Sequence, residues 1–366
     1  MGLVFKQEIP LAPHFLLHVR IAIAGPMPYS ETRQQTGNAR IPAEVTAMRI
    51  GKDDHIVVTG GTGFLGSHLL PVLRERYPAA RVTALNSRDY DLLDPAQAAR
   101  MFAERQPTVV VHLAAYSGGI ETNRSHQADF FHRNLILMEN VFHAAARHGV
   151  RRLLYPMGGC AYPNTASSPI DEAQMWAGLP VETSLGYSMA KKMGIVASFA
   201  YRQQHGLDSV VLVPGNLYGE HDNYRIGESH VIPGLIRRFY EARVNGLPSV
   251  TIWGTGRPTR DFVYAGDVAA AIPWFLENDA EKGPVNISSG TTTTIRDLAA
   301  TVAQLSGYRG ELHWDQTKPD GQVVKIFDVT RMRALGLRCD TPLRAGLERT
   351  IAWFARHYGD PGVVRL

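Results

Sequence analysis

Two cysteines in 366 residues, Cys160 and Cys339, are too few for a disulfide framework. That points to a reduced, cytoplasmic protein in which a thiol can serve as nucleophile, base or filler. No apolar stretch approaches the ~20 residues needed to span a bilayer, so no membrane association is expected. No run of lysine or arginine stands out, and the formal net charge is only +4. A nucleic-acid partner, which calls for a concentrated basic stripe, is therefore not expected. Internal repeats and low-complexity segments are absent, and no metal is expected. What remains is ordinary globular composition, 45% hydrophobic and 20% charged. The length suffices for one large domain or two moderate ones.

Residues 1–53 differ from the rest. The segment Ala24-Gly25-Pro26-Met27-Pro28-Tyr29-Ser30 breaks structure, and Glu31 to Ala43 has no period. The apolar stretch Leu11 to Ala24 is interrupted by Pro13, His14, His18 and Arg20, and it lacks the pattern of a secretory signal. Met48 precedes the first convincing strand, so the stretch before it reads as a dispensable extension, with an ordered cap as the alternative.

From His55 a rhythm begins. β-Branched runs at His55–Thr59, Arg81–Leu85, Thr108–Leu113, Arg152–Tyr155 and Ser209–Val213 read as strands. Between them, Phe64–Arg76, Pro95–Glu104, His126–Arg147 and Tyr187–His205 have helical spacing. Strands alternating with helices predict an α/β fold, a Rossmann-type doubly wound parallel sheet covered on both faces. Residues 54–214 carry this pattern. Residues 215–366 read as a smaller α/β portion that interleaves with it.

Gly60-Gly61-Thr62-Gly63-Phe64-Leu65-Gly66 follows the first strand and opens the first helix. Small residues there let the backbone approach a pyrophosphate seated on the helix N-terminus, which points to a dinucleotide cofactor. The second strand ends Leu85-Asn86-Ser87-Arg88-Asp89, with no acid on the strand itself. Arg88 favours the 2′-phosphate of NADP, and Asp89 keeps NAD open. Asp91-Leu92 is placed to meet the adenine, or else is a solvated loop.

Tyr187-Ser188-Met189-Ala190-Lys191 puts a phenol and an ammonium on one helical face. The ammonium is expected to lower the phenol's pKa, so that Tyr187 can exchange a proton with a substrate oxygen while a nicotinamide moves hydride.

These motifs resemble the extended short-chain dehydrogenase/reductases. Within them the match is to the branch that converts GDP-4-keto-6-deoxymannose to GDP-L-fucose. The matching stretches run in one order from Gly60 onward: Ser87-Arg88-Asp89, Asp91-Leu92-Leu93-Asp94, His112-Leu113-Ala114-Ala115, Gly118-Gly119-Ile120, Ala128-Asp129-Phe130, Cys160-Ala161-Tyr162-Pro163 and Tyr187 to Lys191. Asn216-Leu217-Tyr218-Gly219, His221-Asp222-Asn223, Ser229-His230-Val231-Ile232-Pro233, Trp253-Gly254, Arg260-Asp261-Phe262, Lys318-Pro319-Asp320-Gly321 and Asp328-Val329-Thr330-Arg331 continue them. About five-sixths of the chain is covered.

The resemblance implies an NAD(P)-binding domain at 54–214 and a mainly substrate-binding portion at 215–366. It implies that Gly60, Gly63, Phe64, Leu65, Gly66, Arg88, Asp91, Leu92, Ala114, Ala115, Lys191, Pro214, Asn216, Leu217 and His230 line the cofactor. Tyr187 and Lys191 would serve reduction at C4, and Cys160 and His230 epimerisation at C3 and C5. Asn216, Arg238 (or Arg237), Trp253 and Arg260 would hold a GDP-linked sugar, with Lys325 a weaker candidate. It also implies a homodimer, paired through the helices at His126–Arg147 and Tyr187–His205, whose apolar content includes Leu135, Met138 and Val141 on one and Val196, Phe199 and Ala200 on the other.

One position departs from the pattern. The family's hydroxyl donor to the substrate carbonyl stands two residues before the cysteine, where this chain has Gly158, followed by Gly159. A backbone N–H, a water or another hydroxyl replaces it, or reduction is impaired. Three readings follow: NADP-dependent 3,5-epimerisation and 4-keto reduction of GDP-4-keto-6-deoxymannose to GDP-L-fucose; the same class of chemistry on another nucleotide sugar; or a catalytically silent, cofactor-binding regulator. The joint presence of Tyr187, Lys191, Cys160 and His230 argues against the last.

Overall fold

Five strands, β1 (His55–Thr59), β2 (Arg81–Leu85), β3 (Val109–His112), β4 (Arg152–Pro156) and β5 (Ser209–Pro214), form the body of a parallel sheet. The intervening helices are α1 (Phe64–Arg76), α2 (Pro95–Arg105), α3 (Ile120–Ser125), α4 (Gln127–Arg147) and α5 (Leu185–His205). The second half contributes β6 (Asn216–Tyr218), α6 (Val231–Val244), β7 (Ser249–Trp253), β8 (Thr259–Arg260), β9 (Phe262–Tyr264), α7 (Ala265–Glu277) and β10 (Val285–Ile287). It ends with β11 (Thr293–Thr294), α8 (Ile295–Leu305), β12 (Glu311–Asp315), β13 (Val324–Lys325), α9 (Thr330–Ala334) and α10 (Leu343–His357). This computed structural model describes residues 48–278, 283–318, 320, 322–360 and 362–366.

The main sheet has the order β10-β5-β4-β3-β1-β2. The chain steps from β1 outward to β2, then returns past β1 to β3, so strand order reverses between β1 and β3. In open α/β sheets the crevice at such a reversal, outside the carboxyl ends of the strands, is where ligands bind. β10 closes the far edge, pairing parallel with β5 through Val285 and Leu212, Asn286 and Val213, and Ile287 and Pro214.

Alternation within the strands explains why both faces are covered. Val57, Val110, Leu153 and Val211 belong to one core with Phe102, Val141 and Phe142 of α2 and α4. Their neighbours Ile56, Val58, Val109, Leu154 and Leu212 belong to a second core with Leu69, Ile272 and Phe275 of α1 and α7. Successive side chains of a strand point to opposite faces, so a strand buried on both sides reads as an unbroken apolar run. A third core, around Ile236, Phe239, Val302 and Phe354, holds the second half together.

Among its described residues the second half also holds three small sheets. They are β11-β8-β13, β12-β7 and β6-β9, and several of these strands have only two or three residues. Residues 1–47 of the expected extension lie outside the described residues. Its last part does not behave as an appendage: Met48 and Ile50 pack on the second core. The Met48 amide donates to the Glu277 carbonyl at 2.6 Å. Among the described residues, no helix is long and apolar enough to cross a membrane.

Phe142 is 0% exposed, and its ring meets those of Tyr155 and Tyr201 at centroid distances of 5.8 and 6.0 Å. Phe142→Ala is expected to lower unfolding stability by about 3–5 kcal/mol, read as a fall in the urea midpoint with an unchanged m-value.

Candidate active site

The turn after β1 is built for close approach. Gly60 has φ +66°, and a Cβ there would stand 2.7 Å from the Ala114 amide nitrogen in the turn after β3. A Cβ on Gly66 would collide with the Gly61 carbonyl, so α1 rises directly from the turn. Gly63 caps α1 and offers no side chain to its first amides. The result is a helix N-terminus with a bare backbone facing the β1/β3 crevice, the arrangement that receives a pyrophosphate.

Phe64 and Leu65 open α1, with Leu65 packed on the second core and Phe64 edge-on to His68 at 5.9 Å. Arg88 is exposed just past β2, its amide donating to Asn86 Oδ1 at 2.8 Å. Asp89 Oδ2 is occupied by the Asn86 amide at 2.8 Å, which leaves Arg88 the freer of the two. Asp91 is exposed, whereas the Leu92 side chain turns into the first core and its carbonyl accepts from Asn140. Ala114 is half-buried and Ala115 exposed beyond β3.

Below the crevice lies a desolvated layer. Lys191 is 4% exposed, and its Nζ sits 4.1 Å from the centre of the Tyr155 ring. The same ring stacks with His112 at 5.8 Å, and His112 Nδ1 shares a hydrogen bond with Thr59 Oγ1 at 2.7 Å. Burial, then the Lys191 charge, holds the His112 imidazole down to about 3, so it is neutral. Burial lowers Lys191 to about 7 against the opposing pull of the Cys160 charge.

Tyr187 is half-buried, its ring edge-on to Phe130 at 6.2 Å. Its phenol is pushed well up, first by burial and then by the Cys160 charge. This corrects the expectation that Lys191 lowers it. A lysine itself held near 7 gives up its charge as pH rises through neutrality, and desolvation outweighs it.

Cys160 sits in the short 3-10 turn Gly159–Ala161 after β4. A carbon added at Gly158 would lie 3.0 Å from Cys160 Sγ and 3.8 Å from Tyr187 Oη. The missing hydroxyl therefore leaves its gap between the thiol and the phenol. Gly159 is enforced by a neighbour: a Cβ there would run into the ring of Phe327. Lys325, two residues earlier, joins this cluster. Burial lowers its ammonium, the Cys160 charge opposes that, and the Arg260 charge adds to it.

His230 arrives separately, as the N-cap of α6, with no capping bond from its side chain. The imidazole is exposed to solvent on one side, but the protein around it desolvates it and lowers its pKa. Pro214 ends β5, and Asn216 and Leu217 begin β6, with Asn216 Nδ2 donating to the Asp261 carbonyl at 2.7 Å.

The substrate candidates line the second half. Arg238 donates to the Thr251 carbonyl at 2.7 Å, and Arg260 to those of Thr259 and Gln322 at 2.9 and 2.6 Å. Trp253 is 63% exposed, with Lys318 Nζ 5.5 Å from its ring centre. Arg237 is committed elsewhere, bonded to Glu241 at 2.7 Å and to the Tyr224 carbonyl at 3.0 Å. Of the pair, Arg238 is the one placed beside β7.

Tyr187, Lys191, Cys160 and Lys325 thus form one cluster. Sequence reasoning underrated Lys325 because the two-residue strand that carries it has no periodicity. The only signal was its place after Lys318-Pro319-Asp320-Gly321. Phe130, which touches Tyr187, was visible only as part of a matching stretch.

Comparison with known proteins agrees with this geometry. Residues 56–288 match the family described as NAD dependent epimerase/dehydratase family. The chain is 39% identical over 317 residues to GDP-L-fucose synthase 1 of Arabidopsis thaliana, covering 87% of this chain and 98% of the relative. It is 37% identical to GDP-L-fucose synthase of Escherichia coli strain K12, covering 82% of this chain and 96% of the relative. Among solved structures it is similar to a GDP-L-fucose synthetase from Naegleria fowleri bound to NADP, with a TM-score of 0.81 and 26% identity. That likeness covers 87% of this chain and 98% of the other. With its switch-point crevice, its glycine turn and these relatives over most of its length, the chain belongs to the NAD dependent epimerase/dehydratase family.

Proposed function

We propose that this protein is an NADP-dependent enzyme that epimerises C3 and C5 of GDP-4-keto-6-deoxymannose and reduces C4, giving GDP-L-fucose. The observation that carries the proposal is the Tyr187, Lys191, Cys160 and Lys325 cluster around the gap at Gly158. Relatives matched over 87% and 82% of this chain are named GDP-L-fucose synthase.

The residues fit the cofactor: the bare turn at Gly60, Gly63 and Gly66 would hold the pyrophosphate, and exposed Arg88 the 2′-phosphate. Asp91, Ala114, Ala115, Lys191, Pro214, Asn216, Leu217 and His230 would line the remainder. When bound, the reduced nicotinamide supplies hydride to C4.

The chain's own groups move protons. A C4 ketone acidifies the hydrogens at C3 and C5, so a modest base suffices. Cys160, as thiolate, takes a proton from one face and His230, as imidazolium, returns one from the other, a thiol and an imidazole being side chains suited to such exchange. Tyr187, pushed up by burial, is protonated at neutral pH and can donate to the C4 oxygen. Arg238, Trp253 and Arg260 hold the GDP part, guanidinium groups suiting a diphosphate. Residues 54–214 thus serve the cofactor, and 215–366 mainly the substrate.

We also assign a homodimer joined through α4 and α5. Only part of the apolar set read from the sequence supports it. Met138 and Val141 are spent inside the first core, whereas Val196 and Phe199 are 43% and 45% exposed on α5, with Phe131 exposed on α4.

Cys160→Ser, whose hydroxyl is too weak an acid to act as a base near neutrality, is expected to lose solvent-deuterium incorporation at C3 and C5 while still binding NADPH. Tyr187→Phe is expected to keep incorporation and lose NADPH consumption. Mass spectrometry of the sugar and NADPH absorbance separate the two, and the reverse pattern would overturn the assignment. Gly158→Ser fills the gap beside the Tyr187 phenol and is expected to raise the reduction rate, by up to the ~10²–10³ associated with one such donor. An unchanged rate would mean another donor already serves C4.

The pH dependence of stability follows from Lys191. Its folded pKa, about 7, lies below the ordinary 10.5. Between those values the unfolded chain binds the extra proton, so this group makes stability rise with pH across that window. Lys191→Met is expected to be more stable than wild type at pH 6–7 and to show a flatter rise towards pH 10, measured by urea unfolding without cofactor.

A further inference from the structure

Two glycines in the turn after β3 touch opposite halves of the site. A Cβ on Gly118 would stand 3.1 Å from Cζ of Phe130, the ring that meets Tyr187. A Cβ on Gly119 would stand 3.1 Å from the Glu228 carbonyl carbon and oxygen and from the Gly227 oxygen. The turn itself is held firmly, since buried Asn123 donates through Nδ2 to the carbonyls of both Gly118 and Gly119, at 2.7 and 2.9 Å.

Gly119 has φ −67° and ψ 178°, a conformation open to any residue. Backbone freedom is therefore no reason for a glycine here, and contact with the 227–228 backbone is. That segment is a tight turn: the Arg225 carbonyl accepts from the amides of both Glu228 and Ser229, at 3.2 and 3.0 Å. The next residue is His230, whose carbonyl starts α6 by accepting from Gly234 at 3.0 Å. A displacement at Glu228 passes through this short, doubly bonded turn to the imidazole.

We propose that Gly119 is a positioning residue for His230: its missing side chain lets the turn after the cofactor-side strand β3 seat the loop that delivers the epimerising histidine. The proposal rests on the role assigned to His230 above. Alanine at 119 pushes the 227–228 backbone outward by a few tenths of an ångström and draws His230 off its line to the sugar. Misplacement of about 1 Å can cost 10²-fold in rate, so a shift of this size is expected to cost about tenfold. Gly118 faces the other way, and alanine there presses on Phe130 and, through it, on Tyr187.

The test compares wild type, Gly119→Ala, Gly118→Ala and His230→Ala on three readouts: deuterium incorporation at C3 and C5, oxidation of GDP-L-fucose by NADP, and thermal midpoint. Gly119→Ala is expected to lose about tenfold in incorporation, with sugar oxidation within twofold and an unchanged midpoint. Gly118→Ala is expected to show the opposite split. Incorporation within twofold of wild type in Gly119→Ala, or equal losses of incorporation and oxidation in both glycine variants, would overturn the proposal. His230→Ala distinguishes the underlying reading: if it keeps incorporation, the assignment of His230 fails and takes this proposal with it. If His230→Ala loses incorporation while Gly119→Ala keeps it, only the positioning role fails.

Discussion

A parallel sheet that reverses its strand order leaves two loops side by side, and here they are the turns after β1 and β3. Between Gly60 and Ala114 there is no room for a β-carbon. That closeness has two effects. It exposes the start of α1 to the crevice, and it fixes where the chain leaves β3, hence where Gly118, Gly119 and α3 lie. The groups of the site themselves are carried by the turn after β4, by α5, by β13 and by the start of α6.

Desolvation then gives the cluster its chemical character. His112, Lys191, Lys325 and Tyr187 all shift towards their neutral forms, each chiefly because it is removed from water. Donors and acceptors biased towards neutrality around one thiol suit chemistry in which protons leave and return without a lasting change of charge. It also explains why a simple lysine–tyrosine pair describes the site poorly. Burial acts on both members at once, and the thiol biases both.

Much of this was legible in the chain. The runs at His55–Thr59 and Thr108–Leu113 announce strands buried on both faces, since unbroken apolar runs carry their own signal. The glycine turn and Tyr187–Lys191 were legible because fixed spacings on regular elements survive folding unchanged. Lys325 was not, because β13 is two residues long and gains its place only by pairing with β8, Lys325 opposite Arg260. The helix faces misled in part. Apolar residues on α4 such as Met138 and Val141 look equally suited to a partner or to the core, and only the packed sheet decides. The sign of the Tyr187 shift was misjudged for the same reason, since a sequence shows neighbours but not their burial.

Phe327 presses on Gly159, and Gly159 precedes the thiol. Any descendant of this chain that acquires a side chain at 159 must first, or simultaneously, shrink the ring at 327. Versions of the Cys160 turn with and without a side chain at 159 are therefore separated by an ordered path of substitutions. Residue 327, remote in sequence and buried behind the turn, holds the permissive step.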